Sequence, residues 1–219
     1  MSDVVLFGTG DFAQVACEYL RQDSPHDVVA FTVHERYVEE TELLGLAVVP
    51  FERLEELHPP SGCAMFVAVG FSGVNKTRRA MYEECRSKGY ELISYVSSKA
   101  IHLGEVALGD NSFVFEANVI QPFVRIGSNV IIWSGNHIGH HSRIEDHCFI
   151  ASHAVISGNV TIGEETFIGV NATFRDGVTV APRCLIGAGA LIMKDTEEGG
   201  VYSVRGTEPR PMKSWDLKF

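Results

Sequence analysis

The chain has 219 residues, of which 45% are hydrophobic, and its mean hydropathy of +0.07 is typical of an ordered globular protein. No apolar run reaches the roughly 20 residues of a membrane span, and no basic N-terminal segment precedes an apolar stretch. We therefore expect a cytoplasmic protein with no membrane partner. The formal net charge of -10 argues against nucleic acid as a partner, although backbone N–H groups can still bind a small anion. The five scattered cysteines include no CxxC pair and are expected to be free thiols.

The N-terminal part, residues 1–97, is predicted to form an α/β domain with a small Rossmann-like parallel sheet. Apolar runs there alternate with segments of helical periodicity, and such strands pair in parallel through right-handed crossovers. The predicted strands are Val4–Phe7, Val28–Val33, Met65–Val69 and Leu92–Val96, and the predicted helices are Asp11–Arg21 and Asn75–Lys88.

A glycine motif joins the first strand to the first helix, with the pattern Gly8-x-Gly10-x-x-Ala13. Glycines allow a tight turn and close approach to a ligand, and a helix N-terminus favours an anion. His34 and Glu35 follow the second strand, where a dinucleotide-binding fold would place its ribose-binding acid. The pattern predicts a phosphate or nucleotide site, and a purely structural turn is the alternative.

From Leu108 onward an apolar residue occupies every sixth position. A small or β-branched residue follows four positions after almost every one, with Asn118 and Asn136 as exceptions. A period of six matches neither an α-helix nor a heptad, and it is the repeat of a parallel β-helix in which three hexapeptides form one coil. The fifteen apolar positions are Leu108, Val114, Ile120, Ile126, Ile132, Ile138, Ile144, Ile150, Ile156, Ile162, Ile168, Phe174, Val180, Ile186 and Ile192.

This repeat, with Ile-Gly pairs at 126, 138, 162, 168 and 186, resembles the hexapeptide-repeat acyltransferases over about residues 101 to 210. With the α/β domain in front, the chain is similar to the group of sialic acid O-acetyltransferases and N-acetyltransferases of nucleotide-linked 4-amino-4,6-dideoxy sugars. The resemblance implies a left-handed parallel β-helix with a C-terminal cap over residues 98–219. It also implies a homotrimer with active sites at the subunit interfaces, which uses a nucleotide-sugar and acetyl-CoA as substrates in surface polysaccharide synthesis.

Five of the nine histidines fall within 17 residues, at positions 137, 140, 141, 147 and 153. Their repeat positions put His147 and His153 on other faces than His140, so we expect no metal site. A neutral imidazole near pH 7 can take the proton that an attacking amine loses, and an exposed surface histidine is the alternative. The resemblance implies that His140 is the general base. Because His141 stands where the family usually has an acid, we expect Glu145, Asp146 or a backbone carbonyl to orient it.

Gly158 lies 18 residues after His140, which is one coil along on the same face. Its backbone N–H could stabilise the oxyanion of a tetrahedral intermediate, as the resemblance also implies. Asn136 could orient the sugar, and an asparagine at a coil corner is an equally good interpretation.

The remaining site residues follow from the motifs and the resemblance together. For the cationic members, solvated surface charge is the alternative. The predicted substrate-binding residues are Gly8, Gly10, Asp11, Phe12, His34, Glu35, Gly70, Asn75, Asn136 and His141. The predicted cofactor-binding residues are Gly158, Gly169, Gly187, Ala188, Gly189, Lys194 and Arg205.

Three functions remain open at this point. The first is acetyl-CoA-dependent N-acetylation of a nucleotide-linked amino sugar with His140 as base. The second is O-acetylation of a sialic-acid-like sugar, with His140 activating a hydroxyl group. The third is a β-helical trimer that only binds nucleotides and catalyses nothing.

Overall fold

A computed structural model describes residues 3–209 and 211–217. The N-terminal part is a five-stranded sheet with the order β3-β4-β2-β1-β5, parallel except for the antiparallel pair β3-β4. Its elements are β1 (Asp3–Phe7), α1 (Asp11–Asp23), β2 (Asp27–Val33), β3 (Glu42–Leu43), β4 (Leu46–Pro50), α2 (Leu54–Leu57), β5 (Cys63–Val67) and α3 (Lys76–Ser87). Short 3-10 helices span Glu35–Tyr37, Phe51–Arg53 and Ser214–Asp216.

The predicted α/β fold is confirmed, with one wrong strand. Strands β1, β2 and β5 and helices α1 and α3 lie within two residues of their predicted bounds. The predicted strand Leu92–Val96 does not form: Leu92 makes only an isolated bridge to Met65, and Tyr95–Val96 already pairs with the first coil of the second part. Leu92 is buried in a core of the α/β domain, whereas Ile93 and Tyr95 pack with residues of both folds.

From Tyr95 onward the chain forms the predicted left-handed parallel β-helix, built from two-residue strands that stack in three parallel sheets. We name the sheets by their outward residues. The aromatic face contains β6 (Tyr95–Val96), β9 (Phe113–Val114), β12 (Ile131–Ile132), β15 (Phe149–Ile150), β18 (Phe167–Ile168), β21 (Leu185–Ile186) and β23 (Val201–Tyr202). The apolar face contains β7 (Ile101–His102), β10 (Val119–Ile120), β13 (His137–Ile138), β16 (Val155–Ile156), β19 (Thr173–Phe174) and β22 (Leu191–Ile192). The basic face contains β8 (Ala107–Leu108), β11 (Arg125–Ile126), β14 (Arg143–Ile144), β17 (Thr161–Ile162) and β20 (Thr179–Val180).

The six-residue period has a backbone cause as well as a packing cause. The large apolar residues point inward and form one continuous core. Three positions after each of them except Ile192 the chain adopts a positive φ, as at Asn129 (56°), His147 (63°) and Gly177 (75°). A left-handed residue turns the chain sharply and is least costly for Gly and Asn. The residue that follows this turn points into the core again, which is why it is small or β-branched.

These turns stack into three corners. The histidine corner joins the apolar face to the basic face and contains residues 121–124, 139–142, 157–160 and 175–178. The docked corner joins the basic face to the aromatic face and contains residues 109–112, 127–130, 145–148, 163–166 and 181–184. The glycine corner joins the aromatic face to the apolar face and contains residues 115–118, 133–136, 151–154, 169–172 and 187–190.

The α/β domain packs on the aromatic face and the docked corner. Arg78 of α3 has no exposed surface and donates hydrogen bonds to the carbonyl oxygens of His147 (2.7 Å) and Cys148 (3.0 Å). Burial lowers the pKa of its guanidinium to about 9, which still leaves a cation at neutral pH. Backbone carbonyls therefore solvate a buried charge at the domain boundary. Among the described residues no helix is long and apolar enough to cross a membrane.

Candidate active site

The glycine motif lies at the carboxyl edge of the parallel sheet, beside the loop that follows β5. Strand order reverses between β1 and β5, and ligands of open α/β sheets bind at such a switch point. Gly8 has a φ of 124°, and a Cβ there would lie 2.7 Å from the Ala68 carbonyl oxygen, so only glycine fits. Gly10 is exposed at the start of α1, where a Cβ would meet open space. Asp11 is exposed beside it.

The two residues predicted at the end of β2 differ in their surroundings. His34 has carboxylates on both ring nitrogens, with Nδ1 3.1 Å from Oε1 of Glu52 and Nε2 3.2 Å from Oε2 of Glu84. Its ring is thus held within the domain. Glu35 has an exposed side chain at the same edge, and its backbone N–H donates to Glu52.

Two predicted substrate contacts, Asn75 and Phe12, lie at the domain interface, and a third, Gly70, contacts Arg78 beside it. Asn75 is fully buried and donates from Nδ2 to the carbonyl oxygens of Glu165 (3.1 Å) and Thr166 (3.2 Å). The Phe12 ring packs against aromatic rings of both domains, including Trp133 at 5.9 Å. Gly70 accepts a hydrogen bond from Arg78 through its carbonyl oxygen. Asn75 and Phe12 therefore join the two domains, and Gly70 contacts the arginine that lies between them.

His140 and His141 lie exposed on the histidine corner. Their Nδ1 atoms are 3.2 Å apart, so one of them donates to the other. The backbone N–H of His140 donates to Oε1 of Gln121 (2.9 Å), and the His141 ring packs on Phe123 with centroids 4.6 Å apart. When Nδ1 of His140 is the donor in this contact, its Nε2 is the free basic nitrogen.

Gly158 directly borders this nitrogen, as its spacing predicts. A Cβ at Gly158 would lie 2.6 Å from Cε1 and 2.8 Å from Nε2 of His140. The Gly158 N–H has no hydrogen-bond acceptor within residues 3–209 and 211–217. An imidazole nitrogen and an N–H donor without an acceptor among the described residues therefore lie on neighbouring coils of one corner.

The structure corrects two expectations about the neighbours of His140. Glu145 pairs with Arg143 (3.3 Å), and Asp146 accepts the Ser128 N–H (2.8 Å) on the docked corner, so neither carboxylate orients the base. Asn136 is 1% exposed on the glycine corner, where its Oδ1 accepts the Ala154 N–H (2.7 Å) and its amide donates to Trp133. Its amide maintains the coil, which is the alternative interpretation of this residue.

The other predicted cofactor contacts divide between two corners and the tail. Gly169, Gly187, Ala188 and Gly189 line the glycine corner, and the apolar face separates them from Gly158. Lys194 follows β22 at the end of the histidine corner, and Arg205 lies in the exposed segment after β23.

A groove of about 800 Å³ runs beside the histidine corner along the basic face. Arg125 and Arg143 form its cationic wall, and His141 and Phe123 form its edge. Sequence reasoning missed this wall, although two arginines 18 residues apart must share a face once the period is known. Glu105 also lines the groove and Glu145 pairs with Arg143, so the charges along it are mixed.

The remaining histidines do not join His140. His147 is buried on the docked corner, where it accepts a hydrogen bond from Nδ2 of Asn129 on Nδ1 (2.9 Å), and burial lowers its pKa. His153 lies over Gly135 on the glycine corner, and His137 is on the apolar face. In the described part of the chain no group of three or more His, Cys, Asp or Glu side chains is arranged to hold a metal ion.

Comparison with known proteins identifies structural relatives. The family model described as bacterial transferase hexapeptide (six repeats) matches residues 123–158 and 159–194. PerB from Caulobacter crescentus, solved with CoA and GDP-perosamine, is 27% identical with a TM-score of 0.82, over 94% of this chain and 98% of that chain. No curated protein matches the sequence.

Two further structures share the architecture. The acetyltransferase domain of PglB from Neisseria gonorrhoeae is 25% identical with a TM-score of 0.79, over 92% of this chain and 96% of that chain. The same domain has been solved in complex with acetyl coenzyme A. WeeI from Acinetobacter baumannii, at 18% identity and a TM-score of 0.68 over 87% of this chain and 96% of that chain, shares the fold.

Proposed function

We propose that this chain, which is a hexapeptide-repeat sugar acyltransferase, transfers an acetyl group from acetyl-CoA to the amino group of a nucleotide-linked 4-amino-dideoxy sugar. The observation that carries the proposal is that His140 Nε2 borders Gly158, whose N–H has no acceptor among the described residues. The similarity to PerB and to the PglB acetyltransferase domain supports the choice of substrates.

The proposed reaction is a direct transfer. The amine nitrogen attacks the thioester carbonyl carbon while Nε2 of His140 takes the amine proton. The carbonyl oxygen becomes an oxyanion that accepts a hydrogen bond from the Gly158 N–H. The C–S bond then breaks, and the proton passes from His140 to the departing thiolate of CoA. The products are the amide and free CoA thiol.

The nucleotide part is proposed to bind at Gly8, Gly10, Asp11 and Glu35, at the switch point of the α/β sheet. The exposed start of α1 offers backbone N–H groups to a diphosphate.

The proposal includes a homotrimer, which would bring the divided cofactor contacts together. Gly158 lies on the histidine corner and Gly187–Gly189 on the glycine corner, so one chain does not bring them together. If the histidine corner of one subunit faces the glycine corner of the next, both sets border one groove, and three such contacts close a ring. Val155 and Leu191, on the face between these corners, are exposed apolar side chains that such a contact would cover.

The cytoplasmic location expected from the sequence is part of the proposal. All five cysteines are free and buried, which suits a reducing compartment.

The test is an acetyl-transfer assay with purified protein, acetyl-CoA and a panel of nucleotide-linked 4-amino-4,6-dideoxy sugars, each paired with its 4-hydroxy counterpart. Thiol release and the mass of the product report transfer. We expect acetylation of the amine only. Acetylation confined to the hydroxy sugar would replace N-transfer by O-transfer, and no transfer to any acceptor would contradict the proposal.

A further inference from the structure

Asp176 is a second titratable group at the proposed catalytic corner. It occupies the same turn position as His140 and Gly158, two coils after His140. A Cβ at Gly158 would lie 2.8 Å from Nε2 of His140 and 2.9 Å from Oδ1 of Asp176, so the imidazole and the carboxylate border one point above Gly158. The spacing of 36 residues explains why this pair is not apparent as a local motif.

The carboxylate of Asp176 makes no hydrogen bond that holds the described coils together, unlike two other aspartates of the β-helix. Asp146, at the same turn position on the docked corner, accepts the Ser128 N–H (2.8 Å). Asp195 likewise accepts the Thr179 N–H (2.8 Å). Asp176 is exposed and makes no hydrogen bond or ion pair with any residue that the structure describes. Its charge is therefore available to the imidazole.

His140 needs a carboxylate from somewhere other than the next residue. When His140 takes a proton it becomes a cation, and an anion nearby stabilises that cation. Its contact on the Nδ1 side, His141, can supply no negative charge, and its backbone contact, Gln121, is neutral. Asp176 is the anionic group that the fold directs to the Nε2 side.

We infer that Asp176 is a positioning residue for His140: its carboxylate stabilises the imidazolium that forms during acetyl transfer and so replaces the acid missing at position 141. The inference rests on the proposed function. The family resemblance gives Asp176 no role. In this inference Asp176 acts through His140 and does not contact the substrate.

The test compares Asp176→Asn with Asp176→Glu, which keeps the charge, and with the matched control Asp146→Asn. Loss of the carboxylate makes the imidazolium less stable, so the acid limb of the kcat/KM profile should move to lower pH by about half a unit. The rate at its plateau should fall about threefold to tenfold, because the base is weaker. Asp176→Glu should restore both quantities, and Asp146→Asn should match the parent.

A second readout needs no catalysis and separates this inference from the proposed function. In NMR titrations of ring-labelled histidine, assigned with His140→Ala, the titration midpoint of His140 should move to lower pH in Asp176→Asn. About 1 M salt should remove most of the difference, since it screens exposed charges. An unchanged midpoint at low salt, or a faster Asp176→Asn enzyme, would overturn the inference. A faster enzyme would mean that the Asp176 carboxylate mainly destabilises the oxyanion by charge repulsion.

Discussion

The docked corner and the histidine corner are built from the same turn, yet only one of them is open. On the docked corner the left-handed positions form a buried ladder, in which Asn111 donates to Asn129 (2.8 Å) and Asn129 donates to His147 (2.9 Å). On the histidine corner the equivalent positions, Phe123 and His141, are exposed. The repeat therefore sets where a side chain points, and the presence or absence of the α/β domain decides whether it can meet a ligand.

Removing the buried cation at the docked corner should have the largest effect on stability. Arg78→Met leaves the carbonyl oxygens of His147 and Asn129 without a donor, so the free energy of unfolding should fall by about 3 kcal/mol. Denaturant unfolding measures this loss. Lys76→Met, on the exposed side of the same helix, is the control and should change stability by less than about 0.5 kcal/mol. Equal effects of the two substitutions would mean that docking does not depend on Arg78.

Crowding the histidine corner should lower activity without unfolding the protein. In Gly158→Ala the new methyl group would meet the His140 ring at 2.6 Å, so the ring must move. Displacing a catalytic group by this much should lower kcat by about tenfold to a hundredfold. Gly62→Ala, in the loop before β5 where a Cβ would meet open space, should keep the parent kcat. A normal kcat for Gly158→Ala would show that the catalytic base does not lie on this corner.

The smallest predicted effect concerns the buried histidine. Burial lowers the pKa of His147 below its ordinary value of 6.5, so the unfolded chain takes up the proton first as the pH falls. Stability is therefore lost from about pH 6.5 down to the lowered pKa of the folded state. In His147→Asn, which suits the left-handed turn, the fall in Tm between about pH 7.5 and about pH 5 should be smaller. An unchanged fall in Tm would assign the acid sensitivity to other groups.

The six-residue period predicts which residues share a corner of the β-helix. It does not predict the contacts between the two domains. Residues 18 apart must stack, so the pairing of His140 with Gly158 could be predicted, and the same rule could have found Asp176. The contacts of Arg78 join residues 51 to 70 positions apart in two different folds, and no period relates them. Asn75 and Asn136 appear polar and available in the sequence, but burial assigns them to the domain interface and the coil.

The central claim is that the open histidine corner carries the chemistry through His140. The most direct measurement is single-turnover acetyl transfer by His140→Ala, with binding of CoA and the nucleotide-sugar followed by calorimetry. We predict that the rate falls by roughly 10²- to 10⁴-fold while both ligands still bind, and that His58→Ala, which follows α2 in the α/β domain, keeps the parent rate. A parent-like rate for His140→Ala would contradict the account.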